Sequence, residues 1–218
     1  TDPLPTETIC EVGSPAESIL RYANDEDVDL IVISSHGRSG LNRWVYGSVA
    51  ERIMSQAPCP TLILNARQPS ILEAPKKILV PLDGSKLAEK ALTPALDLAA
   101  ALGPELHMLR VTTSGHMRIE IDSKKEVIDG IENEELVEAQ SYLQQLVEKL
   151  SIENAQLSVE VAGATVAEAI IEYAAENDID LIIMSSHGRT GLQRWVYGSV
   201  AEKVLRSACC ATMIVRNN

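Results

Sequence analysis

At 218 residues and 45% hydrophobic content, the chain has the composition of an ordinary globular protein with room for one to two domains. Its net charge of −12 and pI near 4.8 exclude binding through a nucleic-acid backbone or an anionic membrane, because either would repel the surface as a whole. No apolar run reaches the roughly 18 residues of a membrane span, so the expected address is the cytoplasm, and a local pocket for a small anion stays open.

In chain order, residues 8–12, 30–33 and 61–64 read as short strands, and the two prolines of 67–75 mark a linker. Residues 77–83 (KILVPLD) are a β-branched and aliphatic run closed by Gly84, the pattern of a strand buried on both faces. A helix follows, capped by Ser85, with apolar residues at helical spacing from Leu87 to Leu102 and a stop at Gly103-Pro104; Pro94 inside it predicts a kink. Residues 105–111 read as a strand, 112–130 as an irregular charged connection, and 131–150 as a long amphipathic helix. A strand at 157–161 precedes a helix that ends near Asn177 and is opened by a Thr165/Glu168 capping box. A buried strand at 180–184, a short helix at 199–207 and a strand at 211–215 complete the order. Strands and helices alternating across short turns imply an α/β fold: an open parallel five-stranded sheet with helices on both faces.

The chain also repeats itself. SSHGRSGLNRWVYGSVAE at 34–51 returns as SSHGRTGLQRWVYGSVAE at 185–202, and the same separation relates His36 to His187, Asp29 to Asp180, Glu17 to Glu168 and Cys59 to Cys210. Two related units in tandem are the expectation: residues 1–66 as the C-terminal portion of a first domain, 67–75 as linker, and 76–218 as a complete second domain. Residues 1–66 hold no counterpart of KKILVPLDGSKLAEKALTPALDLAA. A half-domain of that size buries too little surface to stand alone, so it should lean on the second unit or on another chain.

Sheets of this class bind ligands at the carboxyl ends of strands, where strand order reverses, and the repeated loop starts at such an end. Ser185-Ser186-His187-Gly188 leaves the strand, nine residues follow, and Gly198-Ser199 opens the last helix. A helix start offers free N–H groups and partial positive charge, which suit a phosphate chain. Gly188 and the turn after Gly198 could face one polyphosphate from two sides, assisted by Arg189 and Arg194, with Asp83 accepting from ribose hydroxyls. A structural reading competes with each assignment. Ser199 with Glu202, and Ser48 with Glu51, also spell capping boxes that would use the helix amides themselves. Asp83 can be a turn residue before Gly84, and Trp195, Val196 and Tyr197, like Trp44, Val45 and Tyr46, read as packing or interface residues. His187 and His36 read as turn or packing histidines, since no obvious nucleophile or paired carboxylate accompanies them. No catalytic residue and no metal-ligand set is assigned. The four cysteines, Cys10, Cys59, Cys209 and Cys210, lack zinc spacing and are expected to be buried, reduced thiols.

The phrases KILVPLDGSKLAEKAL and DIDLIIMSSHGRTGLQRWVYGSVAEKVLRSACCATMIV, in this order of elements, resemble the universal stress protein family over essentially the whole second unit. ATP-binding members carry G-x-x-G-x(9)-G-S/T before the last helix. Here the motif reads Ser185-x-x-Gly188-x(9)-Gly198-Ser199 and, in the first unit, Ser34-x-x-Gly37-x(9)-Gly47-Ser48, with serine for the first glycine in both copies. The resemblance implies a Rossmann-like fold of the adenine nucleotide alpha hydrolase type, duplicated in tandem, and a site for ATP, ADP or AMP, with or without Mg. It implies Asp83 at the ribose or adenine, Val111 beside the adenine, and Ser185, Gly188, Gly198, Ser199 and Val200 around the phosphates. The implied nucleotide-binding set also takes in Pro81, Leu82, Met184, His187 and Arg189. Ser34, Gly37, Arg38, Gly47, Ser48 and Val49 would form an equivalent partial site without counterparts of Asp83 and Val111. Pairing of the two units, or of whole chains, through their last strands is implied as well. The expected function is a nucleotide-dependent stress-response module; a nucleotide-free dimerising module and a slow ATPase are the alternatives.

Overall fold

The computed structural model describes residues 5–34, 47–64, 74–113, 134–152, 155–188 and 198–216. The first unit contributes α1 (Pro15–Asp25), β1 (Ile31–Ser34), α2 (Ser48–Gln56) and β2 (Thr61–Leu64). The second contributes β3 (Lys77–Leu82), α3 (Lys86–Glu89), α4 (Leu92–Leu102), β4 (Glu105–Thr112), α5 (Glu134–Leu150), β5 (Ala155–Val161), α6 (Val166–Glu176), β6 (Leu181–Ser185), α7 (Ser199–Ser207) and β7 (Ala211–Val215). The five aliphatic runs of the second unit become parallel strands in the order β7-β6-β3-β4-β5, and the first unit extends them into one seven-stranded sheet, β1-β2-β7-β6-β3-β4-β5.

The join between the units is antiparallel. Thr61 pairs with Ile214, Leu62 with Met213 and Ile63 with Thr212. Because the repeat makes Thr61 equivalent to Thr212 and Ile63 equivalent to Ile214, this ladder maps onto itself about the Leu62–Met213 pair, the signature of a two-fold relation between the units. Ion pairs repeat under the same relation: Arg52–Glu17 at 2.7 Å ties α2 to α1, and Lys203–Glu168 at 2.8 Å ties α7 to α6.

Two cores sandwich the sheet of the second unit. Leu79, Leu109, Ile182 and Ile214 pack against α6 and α7 on one face, and Ile78, Val80, Met108 and Ile183 pack against α3, α4 and α5 on the other. Met54 of α2 and Ile63 of β2 join the first of these cores, so the first unit is seated on the second by shared apolar burial. Ala16, Ala23, Ile31, Ile53 and Ala57 make a smaller cluster of its own.

Three sequence expectations change. Residues 8–12 form no strand: β5, their counterpart, is held by β4, and the described residues of the first unit include no strand equivalent to β4. The single helix expected from Ser85 is two helices, α3 and α4, separated at Lys90-Ala91. Pro94 lacks the N–H that a continuous helix would direct to residue 90, and Lys90 and Ala91 instead donate to the nearer carbonyls of Leu87 and Ala88. Four thiols were expected to be buried; Cys210 is, Cys59 is half-buried, and Cys10 and Cys209 are exposed. Cys10 lies on the extended segment that lacks a strand partner, and Cys209 in the turn before β7. Most of the 112–130 connection and of the 67–75 linker lies outside the described residues. The capping expectations at Ser85 and Thr165 hold: the Ala88 amide donates to Ser85 Oγ at 3.1 Å and the Glu168 amide to Thr165 Oγ1 at 3.2 Å. Among the described residues no helix is long and apolar enough to cross a membrane.

The repeat measures what the α3–α5 layer contributes, because equivalent residues sit with and without it. Leu181 and Ile183 are 4% and 0% exposed, whereas their counterparts Leu30 and Val32 are 37% and 52% exposed. Ile183→Ala is therefore expected to cost about 2–5 kcal/mol through lost transfer energy and a cavity, and Val32→Ala no more than about 0.5 kcal/mol. Urea unfolding of the two variants, followed by circular dichroism, checks the difference.

Candidate functional site

β3 is where the sheet changes direction. The chain runs outward one way through β4 and β5 and the other way through β6 and β7, so the carboxyl ends of β3 and β6 flank a switch point of the kind that opens a crevice. β3 ends at Leu82 and β6 at Ser185, and their side-by-side pairing brings Asp83 and Gly188 into contact. A methyl group on Gly188 would collide with Asp83 Oδ2; glycine here is what lets the carboxylate lie against the main chain. The other oxygen, Oδ1, accepts the Ser85 amide at 2.9 Å. Gly84 between them has φ +86, a left-handed conformation that side chains disfavour, so the turn aims Asp83 back across the strand ends.

The loop leaves β6 in a tight turn. The Ser185 hydroxyl donates to the His187 carbonyl at 2.8 Å, and the Ser186 hydroxyl and His187 Nδ1 are 3.1 Å apart. His187 is thus engaged in the turn. At the far side of the loop the Gly198 amide donates to the Ser186 carbonyl at 2.9 Å and closes its neck. α7 begins there with Gly198 as its N-cap and no side-chain capping bond, and α2 begins the same way on Gly47. The capping boxes spelled by Ser199/Glu202 and Ser48/Glu51 therefore do not form. Glu202 instead pairs with Arg206 at 2.7 Å one turn on, and among the described residues no side chain takes up the amides of the first turn of α7.

Other candidates divide by face. Met184 is buried in the core beneath α6 and α7, and Val111 and Val200 are half-buried against that same core. Leu82 points into the opposite core, so only its backbone faces the switch point, and Pro81 is buried within β3. Arg189, Gly37, Arg38, His36, Arg194 and the two Trp-Val-Tyr triplets lie outside the described residues. In the first unit Ser34, Gly47 and Ser48 are exposed and Val49 is half-buried, but the described residues include no strand equivalent to β3 beside β1, so none of them stands where Asp83 stands in the second unit.

Sequence reasoning missed two buried polar groups. His107 Nδ1 meets the Tyr173 hydroxyl at 3.0 Å, which meets the Ser158 hydroxyl at 3.0 Å, a chain across β4, α6 and β5 in which burial pushes the imidazole down and the phenol up. Arg110 on β4 is 7% exposed, directly behind the Asp83 turn. A cationic residue inside the run LHMLRV was the available signal.

Both copies of the repeat match the universal stress protein family, over residues 2–65 and 75–216. The chain belongs to that family. Among curated relatives it is similar to universal stress protein YxiE of Bacillus subtilis, 34% identical over 64% of this chain and 98% of that protein. Universal stress protein MJ0531 of Methanocaldococcus jannaschii is 30% identical over 65% of this chain and 82% of its own length. Universal stress protein Rv2005c of Mycobacterium tuberculosis is 26% identical over 94% of this chain and 67% of its own. Of solved structures, a universal stress protein from Archaeoglobus fulgidus superimposes with a TM-score of 0.64 at 23% identity, over 94% of this chain and 66% of that one.

Thiol environment differs sharply between the strand-start cysteines and the exposed ones. Burial pushes the Cys210 thiol up to about 12, so at pH 8 it is almost wholly protonated, and the thiol rather than the reactive thiolate is present. Iodoacetamide at pH 8 is expected to alkylate Cys10 and Cys209 within minutes and leave Cys210 unmodified until the protein unfolds, as read by peptide mass spectrometry.

Proposed function

We propose that the second unit binds ATP or a related adenine nucleotide between the Asp83 turn and the start of α7, and that the protein works as a nucleotide-dependent stress-response module in the cytoplasm. The observation that carries this reading is the contact of Asp83 with Gly188, at one end of a loop whose other end, Gly198, opens a helix with no side-chain cap among the described residues. A carboxylate at the switch point suits ribose hydroxyls, and main-chain amides at a helix start suit phosphates. Val111, Met184 and Val200 offer the apolar flank that a purine needs.

The serines that replace the first motif glycine fit the same reading. Ser185 places its hydroxyl within the turn, on the His187 carbonyl, and leaves the rest of the loop to reach Gly198. The His187 ring is occupied by Ser186, and we assign no general base, which makes this a binding module in preference to an efficient ATPase. Residues 1–66 and 76–218 act here as two units paired through β2 and β7. That ladder occupies the outer edge of β7, so whole-chain dimerisation through β7 would require β2 to leave.

Isothermal titration with ATP, with and without Mg, tests the reading. Wild type is expected to bind in the micromolar range, Gly198→Val to lose binding, and Asp83→Ala to bind about ten- to a hundredfold more weakly, the effect of deleting a hydrogen-bonded charge. Silence of the wild type at millimolar ATP would leave only the paired structural module. Turnover of Mg-ATP that vanished in these variants would favour the slow ATPase.

A further inference from the structure

We propose that Arg110 is the positioning residue of the nucleotide site: it fixes the Leu82–Gly84 turn from behind and thereby holds the Asp83 carboxylate against Gly188. The proposal rests on the nucleotide reading and adds a residue that the loop motif does not contain.

Along β4 the side chains alternate. Leu106 and Met108 enter the core under α3, α4 and α5, and Arg110 follows them to that face, while Leu109 and Val111 face α6 and α7. A guanidinium has no obvious place in an aliphatic core. It loses its water shell there, and a methionine of similar length would fill the space without that loss. Arg110 forms no ion pair among the described residues, and its Nε has no hydrogen-bond partner there. What it does touch is the turn. Nη1 donates to the Leu82 carbonyl at 3.4 Å. Nη1, Nη2 and Cζ lie 3.5, 3.5 and 3.6 Å from the point where a Gly84 Cβ would stand, so the guanidinium plane lies face-on beneath that glycine. The cation also lies over Tyr142 of α5, with Cζ 5.9 Å from the ring centroid.

The turn is therefore held at each of its residues. Leu82 is held by Arg110, Asp83 by the Ser85 amide, and Gly84 by the flat cation packed against it at van der Waals distance. Tyr142 holds the cation in turn, which links the long helix α5 to the crevice on the opposite face of the sheet. Without the guanidinium the Leu82 carbonyl loses its side-chain donor and Gly84 its packing partner, and Asp83 between them loses its aim. Arg110 does not face the crevice itself, so its influence on a ligand must pass through Asp83.

A double-mutant cycle in the full chain tests this. ATP affinity is titrated for wild type, Arg110→Met, Arg110→Lys, Asp83→Ala and Arg110→Met/Asp83→Ala, with the urea midpoint of each recorded alongside. The expected result is a loss of about tenfold in affinity for Arg110→Met and about threefold for Arg110→Lys, which keeps the charge without the fork, and no further loss when Arg110→Met is added to Asp83→Ala. Arg110→Met that binds ATP as wild type does would overturn the proposal and leave the nucleotide reading standing. An equal loss with and without Asp83 would overturn it in favour of a core-packing role. If Arg110→Met does not fold, Arg110→Lys and its double variant decide by the same criteria. Wild type that binds no ATP at all sinks the nucleotide reading and this proposal with it.

Discussion

The pairing of β3 with β6 is the contact on which the rest is organised. These strands are far apart in sequence, yet Ile78 lies beside Leu181 and Leu79 beside Ile182. Asp180 secures the start of the arrangement by accepting the Lys76 and Lys77 amides at 2.8 and 3.0 Å. From that anchor the two strands run in parallel to their carboxyl ends, and the ends deliver Asp83 and Gly188 to one place. Neither residue has meaning for a ligand alone. The register of two short aliphatic strands makes them neighbours, and the burial of Ile78, Leu79, Ile182 and Ile183 at 0% exposure fixes that register.

The same residues show how far a reader of the sequence can go. β3 and β6 were legible as continuous aliphatic runs with turn residues at their ends, β5 by its alternation, and the last two strands of the first unit through the repeat. Residues 8–12 carry a plausible pattern, but a strand is a relation between two segments, and pattern alone says nothing of whether a partner stands alongside. The break between α3 and α4 was half visible in Pro94; the break itself falls before the proline, where the Lys90 and Ala91 amides turn to the carbonyls three residues back.

At the loop, local chemistry pointed two ways and the three-dimensional path chose. Ser199 and Glu202 have the spacing of a capping box, but the chain enters α7 one residue early, with Gly198 in the capping position, so Ser199 is already inside the helix. Glu202 then finds Arg206 along the same helix. Arg110 escaped notice for the opposite reason: a lone cation inside LHMLRV is the sole local mark, and its partners, the Leu82 carbonyl, Gly84 and Tyr142, lie far along the chain.

The ladder between β2 and β7 has a consequence for how the chain reaches its final form. β2 is made early and finds its second neighbour only in the last strand, after every element from β3 to β6 has been synthesised and arranged. Contacts that close so long a loop form late and slowly. Until then the bare flank of β2 resembles the open strand borders that invite aggregation.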